Sequence, residues 1–284
     1  MSLSITPADA FLGASIENVN LKTLNSKEWT EIEQAFLEYA VLVFPNQHLN
    51  PDEQTAFAEH FGNIELLTPN KNLKTIHLSN ISPDGTLMNS EEHHVQVLRG
   101  NEGWHTDSSY MPLSSKASIL SAQKIPTNGG ETEWADMRSA YDALDEETKN
   151  LIQNLSAHHS LFYSQAKIGH RAEEGASYGF HNRKPPLRPL VKKHPVTDKN
   201  SLYIGRHAYD IPGLSQSDSE ELLKNLVDFA CQAPRIYQLK WEIGDLAVWD
   251  NRCVLHRALP YDYSEPRVML ATRIAGDPET ELVT

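Results

Sequence analysis

The strongest constraint on the fold is the last third of the chain. Segments 236–241, 245–249 and 268–274 are short, rich in apolar and β-branched residues, and bounded by turn residues such as Gly244. Such runs read as strands of a β core. Helical patterns stand before and between the strand segments. Asn25 or Ser26 can cap a helix over 27–39, where Trp29, Ile32, Phe36 and Tyr39 share one face. Segment 40–44, closed by Pro45, reads as a buried strand, and Asn50 with Pro51 opens a second helix that Gly62 follows. The first 20 residues read as short strands around a turn at Gly13. Segment 66–99 is irregular, with one strand near 75–79. Asp136 caps a helix leading to another over 146–155. Ser217 and Glu220 form a capping box before the face made by Leu222, Leu223, Leu226, Val227 and Ala230. The expectation is a single domain, 1–284, mainly β with inserted helices.

Composition narrows the function. The chain has 284 residues, with 38 acidic against 25 basic ones, a formal charge of −13. That balance argues against a nucleic-acid binder, which needs basic surface, and against docking on an anionic membrane surface. The longest apolar run, 39–44, is far below the ~20 residues of a spanning helix. The start lacks the basic and apolar blocks of a signal peptide. Two cysteines, Cys231 and Cys253, make no disulfide framework, so a cytoplasmic protein is expected. A small-molecule substrate and a homo-oligomer are expected, with no nucleic-acid or membrane partner.

Histidine is plentiful, at 13 residues. In Gly103-Trp104-His105-Thr106-Asp107, the i, i+2 spacing on an extended segment lets His105 and Asp107 reach one metal ion. With so many histidines this pair is a weak signal alone. His256 follows the run Trp249-Asp250-Asn251-Arg252 and can be either a core histidine or a third ligand. Two histidines and one carboxylate bind one face of Fe(II) and leave open positions. Arg267, at the start of a strand, is either an exposed edge residue or a bidentate partner for a carboxylate. Thr132, after the turn Gly129-Gly130, can donate a hydrogen bond to an anion. Segment 165–189, weakly periodic and rich in Gly, Pro, His and Arg, has the length of a lid over a site.

Taken together, these motifs in this order resemble the TauD/TfdA family of Fe(II)/2-oxoglutarate-dependent dioxygenases. The resemblance runs from Leu3-Ser4-Ile5-Thr6-Pro7 through Val43-Phe44-Pro45, Phe61-Gly62 and Trp104-His105-Thr106-Asp107. It continues through Gly129-Gly130-Glu131-Thr132 and Trp249-Asp250-Asn251-Arg252 to Arg267-Val268-Met269. His194-Pro195-Val196-Thr197 and Leu202-Tyr203-Ile204-Gly205 resemble the branch that acts on phenoxyacetate herbicides. The resemblance implies a double-stranded β-helix (jelly-roll) core. It implies His105, Asp107 and His256 as iron ligands, Thr132 and Arg267 as the clamp on 2-oxoglutarate, and O2 as the other cosubstrate. It implies hydroxylation of a C–H bond of a small anionic molecule, with release of succinate and CO2. Asn101 falls where some members contact substrate. Some members carry a second arginine four residues after the clamp; here that position is Ala271. Taurine is therefore not the expected substrate, and Arg273 or His207 is expected to hold the substrate anion. Two rivals are a zinc hydrolase on the same three ligands and a non-catalytic jelly-roll binding module.

Overall fold

The computed structural model describes residues 3–283. The local signals act where the sequence places them. Asn25 accepts from the backbone of Glu28, and Glu28 returns the bond, so a capping box opens helix Ser26–Tyr39. Ala40 ends the helix in the left-handed conformation, and strand Val41–Phe44, buried throughout, follows at once. Asn50 and Glu53 repeat the device for Pro51–Glu59, with Pro51 in the first turn.

Both helices cover one face of an eight-stranded sheet. Along its main path the strands lie in the order Ser4–Pro7, Ala14–Glu17, Val41–Phe44, Leu246–Asp250, Ser115–Lys124, Val268–Ala275 and Ile64–Glu65. Ile76–Ser79 pairs separately with Val268–Ala275. Among the described residues, only Ala14–Glu17 and Val41–Phe44 pair in parallel.

The period of two along each strand divides its side chains between two cores. Leu42, Phe44, Ile119, Leu246 and Val248 join Ile32, Phe36 and Phe57 under the helices. Val41, Val43, Leu120, Ala247, Trp249 and Met269 face the other way, toward Trp134 and Val254. Those two belong to a three-stranded antiparallel sheet of Ile236–Leu239, Thr132–Asp136 and Val254–Ala258. Ala135 and Leu255 of that sheet point onward into a third core, beneath helix Gln216–Ala230. Burying a side chain such as Phe36 or Leu120 contributes roughly 1.5–3 kcal/mol, so the stacked layers hold the two sheets at fixed spacing. The site lies between them.

Several expectations change. Helices occupy about as much of the described chain as strands, so it is a mixed arrangement of sheets and helices rather than a mainly β one. Strand Ser115–Lys124, at the centre of the large sheet, has no counterpart in the sequence reading. Helix His93–Gly100 interrupts the segment read as irregular. Helix Gln216–Ala230 is capped by Ser215, whose side chain accepts from the Asp218 backbone; Ser217 lies inside the first turn. The long segment begins in helix Leu161–Ala166 and regains regular structure only at Leu187–Pro189. Between them Phe180 is buried against Tyr110 and Leu161, so the segment is docked.

Candidate metal centre and keto-acid pocket

His105 and His256 come together through the backbone. His105 N donates to His256 O at 3.0 Å and His256 N to His105 O at 2.8 Å, an isolated bridge joining a loop to strand Val254–Ala258. Their rings lie 4.1 Å apart, and Trp249 packs on His256 at 4.6 Å. Asp107 follows in a turn rather than a strand, where Ser108 takes a φ of +54°. The i, i+2 spacing still delivers both side chains to one point. Ligand atoms of His105, Asp107 and His256 all lie within 4.8 Å of one another.

The electrostatics suit a divalent ion. Burial pushes the His105 imidazole down to about 4 and His256 well below its usual value, so both rings are neutral at pH 7. His105 Nδ1 bonds the Gly103 carbonyl at 2.8 Å, which leaves Nε2 with a free lone pair. His256 Nε2 stands 3.7 Å from Asp107 Oδ2. Burial alone would raise the Asp107 carboxyl, but Arg273 and the two histidines overcome it and hold it at about 2. Two neutral imidazoles and one carboxylate are the donor set of a non-haem Fe(II) site with open positions. These residues fit that ion.

Supports missed by sequence reasoning hold Asp107. Ser118 Oγ donates to Asp107 Oδ2 at 2.6 Å, and Arg273 Nη2 meets Oδ1 at 2.5 Å. Asn251 donates to Ser118 Oγ at 2.9 Å and accepts from Trp249 Nε1 at 3.1 Å. The run Trp249-Asp250-Asn251-Arg252 carried a signal for Asn251, though not its task. Nothing marked Ser118.

A narrow cavity of about 60 Å³ opens from the ligands between the two sheets. Asn101, Thr132, Arg267, Ala271 and Arg273 all line it. Arg267 is 8% exposed and has no carboxylate partner among the described residues. Its Nη2 donates to Gly130 O at 3.1 Å, its Nε has no partner, and its guanidinium lies over Tyr261 at 5.7 Å. Burial pulls its pKa down, so a buried cation here lacks an anion. Thr132 Oγ accepts from Trp241 Nε1 at 3.0 Å, leaving its own proton free to donate. An orphaned guanidinium and a free hydroxyl lining one narrow cavity fit a carboxylate.

The expected substrate residues separate. Arg273 lines the cavity but already engages Asp107. His207 does not line it: the residue is buried behind His105, ring to ring at 5.7 Å, with Nδ1 at 2.8 Å from Ser164 Oγ. A second close group, His194, Asp250 and Cys253, is explained without a metal. Asp250 forms a two-pronged pair with Arg252 at 2.8 and 2.6 Å. His194 Nδ1 accepts from the Val196 and Thr197 backbone, so Nε2 carries the proton that bonds Asp250 at 3.0 Å.

Over residues 4–273 the chain matches the family model described as taurine catabolism dioxygenase TauD, TfdA family. The chain belongs to the TauD/TfdA family. It is an Fe(II)- and 2-oxoglutarate-dependent dioxygenase, and the hydrolase and non-catalytic readings are set aside. It is 48% identical to the (S)-phenoxypropionate/alpha-ketoglutarate-dioxygenase of Sphingobium herbicidovorans, across 99% of this chain and 97% of the relative. It is 36% identical to the alpha-ketoglutarate-dependent 2,4-dichlorophenoxyacetate dioxygenase of Cupriavidus pinatubonensis, across 94% of this chain and 96% of that protein. A solved structure, AAD-2 in complex with Mn(II) and N-oxalylglycine, superposes with a TM-score of 0.91 at 37% identity. That match covers 100% of this chain and 99% of AAD-2.

Proposed function

We propose that this dioxygenase hydroxylates the carbon between the ether oxygen and the carboxylate of a 2-aryloxyalkanoate such as 2-phenoxypropionate. The observation that carries this reading is the pair of arginines in one small cavity. Arg267 lacks an anion, which suits the keto acid, and Arg273 beside Asp107 supplies a second cation for a second carboxylate. Arg273 uses two of its five N–H groups in the contacts to Asp107 and Ser108, so donors remain for a substrate. The named activities of the relatives point to the same substrate class. The two stacked, mostly antiparallel sheets around the ligands support a double-stranded β-helix core, within one domain.

When bound, Fe(II) supplies the redox chemistry that couples decarboxylation of 2-oxoglutarate by O2 to hydroxylation of the substrate. The chain's own residues bind and orient. His105 and His256 offer neutral nitrogen lone pairs, and Asp107, fixed by Ser118, offers the single negative oxygen. Arg267 and Thr132 hold the distal carboxylate of the keto acid. Leu78, Leu98 and Tyr263 give the cavity apolar walls that exclude water and accept an aromatic ring. Asn101 closes the wall at the end of helix His93–Gly100. Hydroxylation of a carbon that already bears an ether oxygen gives a hemiketal, which collapses to a phenol and a 2-keto acid without further help from the protein.

The test is release of phenol and succinate from 2-phenoxypropionate with Fe(II), 2-oxoglutarate and O2. Equal amounts of the two products are expected, with little stimulation by taurine, since the Ala271 methyl offers no pairing for a sulfonate. Robust taurine turnover with no phenol release would overturn the reading.

A further inference from the structure

Between Asp107 and the long docked segment lie three side chains that the reaction above leaves without a task. Glu65 stands in the two-residue strand Ile64–Glu65, directly opposite Arg273 in the sheet register. Its Oε2 accepts from Ser108 Oγ at 3.1 Å, and Ser108 Oγ in turn accepts from Arg273 Nη1 at 3.2 Å. Its Oε1 accepts from the hydroxyl of Tyr178, which belongs to the segment between Ala166 and Leu187. The Tyr178 ring also lies 5.9 Å from the Arg273 guanidinium carbon. Two residues on, Phe180 is 2% exposed in the cluster with Tyr110 and Leu161. One carboxylate therefore ties together the arginine at the cavity, the residue next to Asp107 and the docked segment that carries Tyr178. Carboxylates in short edge strands ordinarily face water; this one has each oxygen bonded to a protein hydroxyl.

We propose that Glu65 is a positioning residue for the substrate arginine and that Tyr178 is the latch by which segment 167–186 closes on it. Ser108 and Glu65 fix the plane of the Arg273 guanidinium, and hence the direction of the N–H groups left for a substrate carboxylate. Tyr178 joins the same carboxylate from above. Docking of the segment and readiness of Arg273 are then one event, and losing either contact weakens both. This inference rests on the substrate reading above, because it gives Arg273 the substrate anion.

The test compares wild type with Tyr178→Phe, which removes one hydroxyl from a surface segment, and with Glu65→Gln. The first readout is tryptic cleavage at Lys167, Arg171 and Arg183 in the folded protein without substrate. The second is the pair of KM values, for 2-phenoxypropionate and for 2-oxoglutarate. A hydrogen bond to a charged group is worth about one power of ten in an equilibrium. Tyr178→Phe should therefore be cut roughly tenfold faster, and KM for 2-phenoxypropionate should rise about tenfold while that for 2-oxoglutarate moves far less. Glu65→Gln should shift both readouts in the same direction. A Tyr178→Phe protein cut at the wild-type rate overturns the latch. Faster cleavage with an unchanged substrate KM overturns the coupling to Arg273. Absence of phenol release in the wild type sinks the substrate reading instead, and the cleavage comparison then decides the latch by itself.

Discussion

Arg267→Met provides a sharp test of the keto-acid pocket, because its effects on the free and the loaded protein should have opposite signs. In the free protein the guanidinium is buried with Nε unpartnered and one bond to the Gly130 carbonyl. A buried polar group left unsatisfied costs about 1–3 kcal/mol. Methionine fills the stem's volume and removes that cost, so the free variant should melt no lower than wild type. In the loaded protein the balance reverses. The desolvation of Arg267 is already met on folding, so the arriving carboxylate gains the pairing without a second penalty. Breaking a buried charged pair costs about 3–5 kcal/mol. At 1.4 kcal/mol per power of ten, that is roughly two to four powers of ten in affinity for 2-oxoglutarate. The assays are succinate release against 2-oxoglutarate concentration, and thermal melts with and without Mn(II) and N-oxalylglycine. With Mn(II) present throughout, N-oxalylglycine should add stability to wild type and little to the variant. A variant whose KM stays within about threefold of wild type would refute the clamp. A free variant melting many degrees lower would show that Arg267 serves the fold instead. Thr132→Val, which removes a neutral donor, should raise the same KM by about tenfold at most.

Asp107→Ala should lose both stoichiometric iron and turnover, because it removes the only anionic ligand and leaves Arg273 without its partner; metal analysis of the purified variant checks it. Ser118→Ala should keep the fold but weaken metal binding by about 10–100-fold, since it frees one oxygen of Asp107; metal titration followed by activity measures the shift. The metal-free protein should lose stability as pH falls below about 6.5. His159 is buried with both ring nitrogens unpartnered, and burial holds its pKa well below the usual value. The unfolded chain therefore takes up a proton that the folded chain refuses, a loss of up to about 1.4 kcal/mol per pH unit for this residue. His159→Phe should flatten the pH dependence of the denaturation midpoint between pH 7 and 5, and an unchanged slope would count against the argument.

The sequence showed its local devices and concealed what lies at the centre. Asn25 with Glu28 and Asn50 with Glu53 satisfy backbone groups three residues away, so the pattern is complete within one turn. Helix His93–Gly100 was missed because no side chain caps its start. Strand Ser115–Lys124 was missed for a different reason. It is sandwiched between two cores, so its buried face does not alternate with a wet one. Its serines look like surface residues, yet each is bonded inside. Ser115 reaches the Ile274 carbonyl at 2.9 Å, Ser118 reaches Asp107 and Ser121 reaches Gln54 Oε1 at 2.6 Å. Polarity in the sequence hides a strand whose hydroxyls stitch it to its neighbours.

The site divides along the same line. The residues proposed as iron ligands stand out because coordination demands particular residue types at particular spacings, whatever surrounds them. Arg267 and Thr132, proposed to hold the keto acid, stand out beside them because a carboxylate suits a fork and a donor. Arg273 shows where that logic stops. It lies six residues after Arg267 and lines the same cavity, but strand parity carries no information about partners. Its guanidinium pairs with Asp107, 166 residues earlier, and stands opposite Glu65, which no motif contains, in the sheet register. A second cation that must serve both an iron ligand and an incoming anion has to be held in plane by something outside the motif. Glu65 and Tyr178 meet that need because the sheet register and the docked segment bring them there, and the spacing of residues in the chain has no means of announcing it.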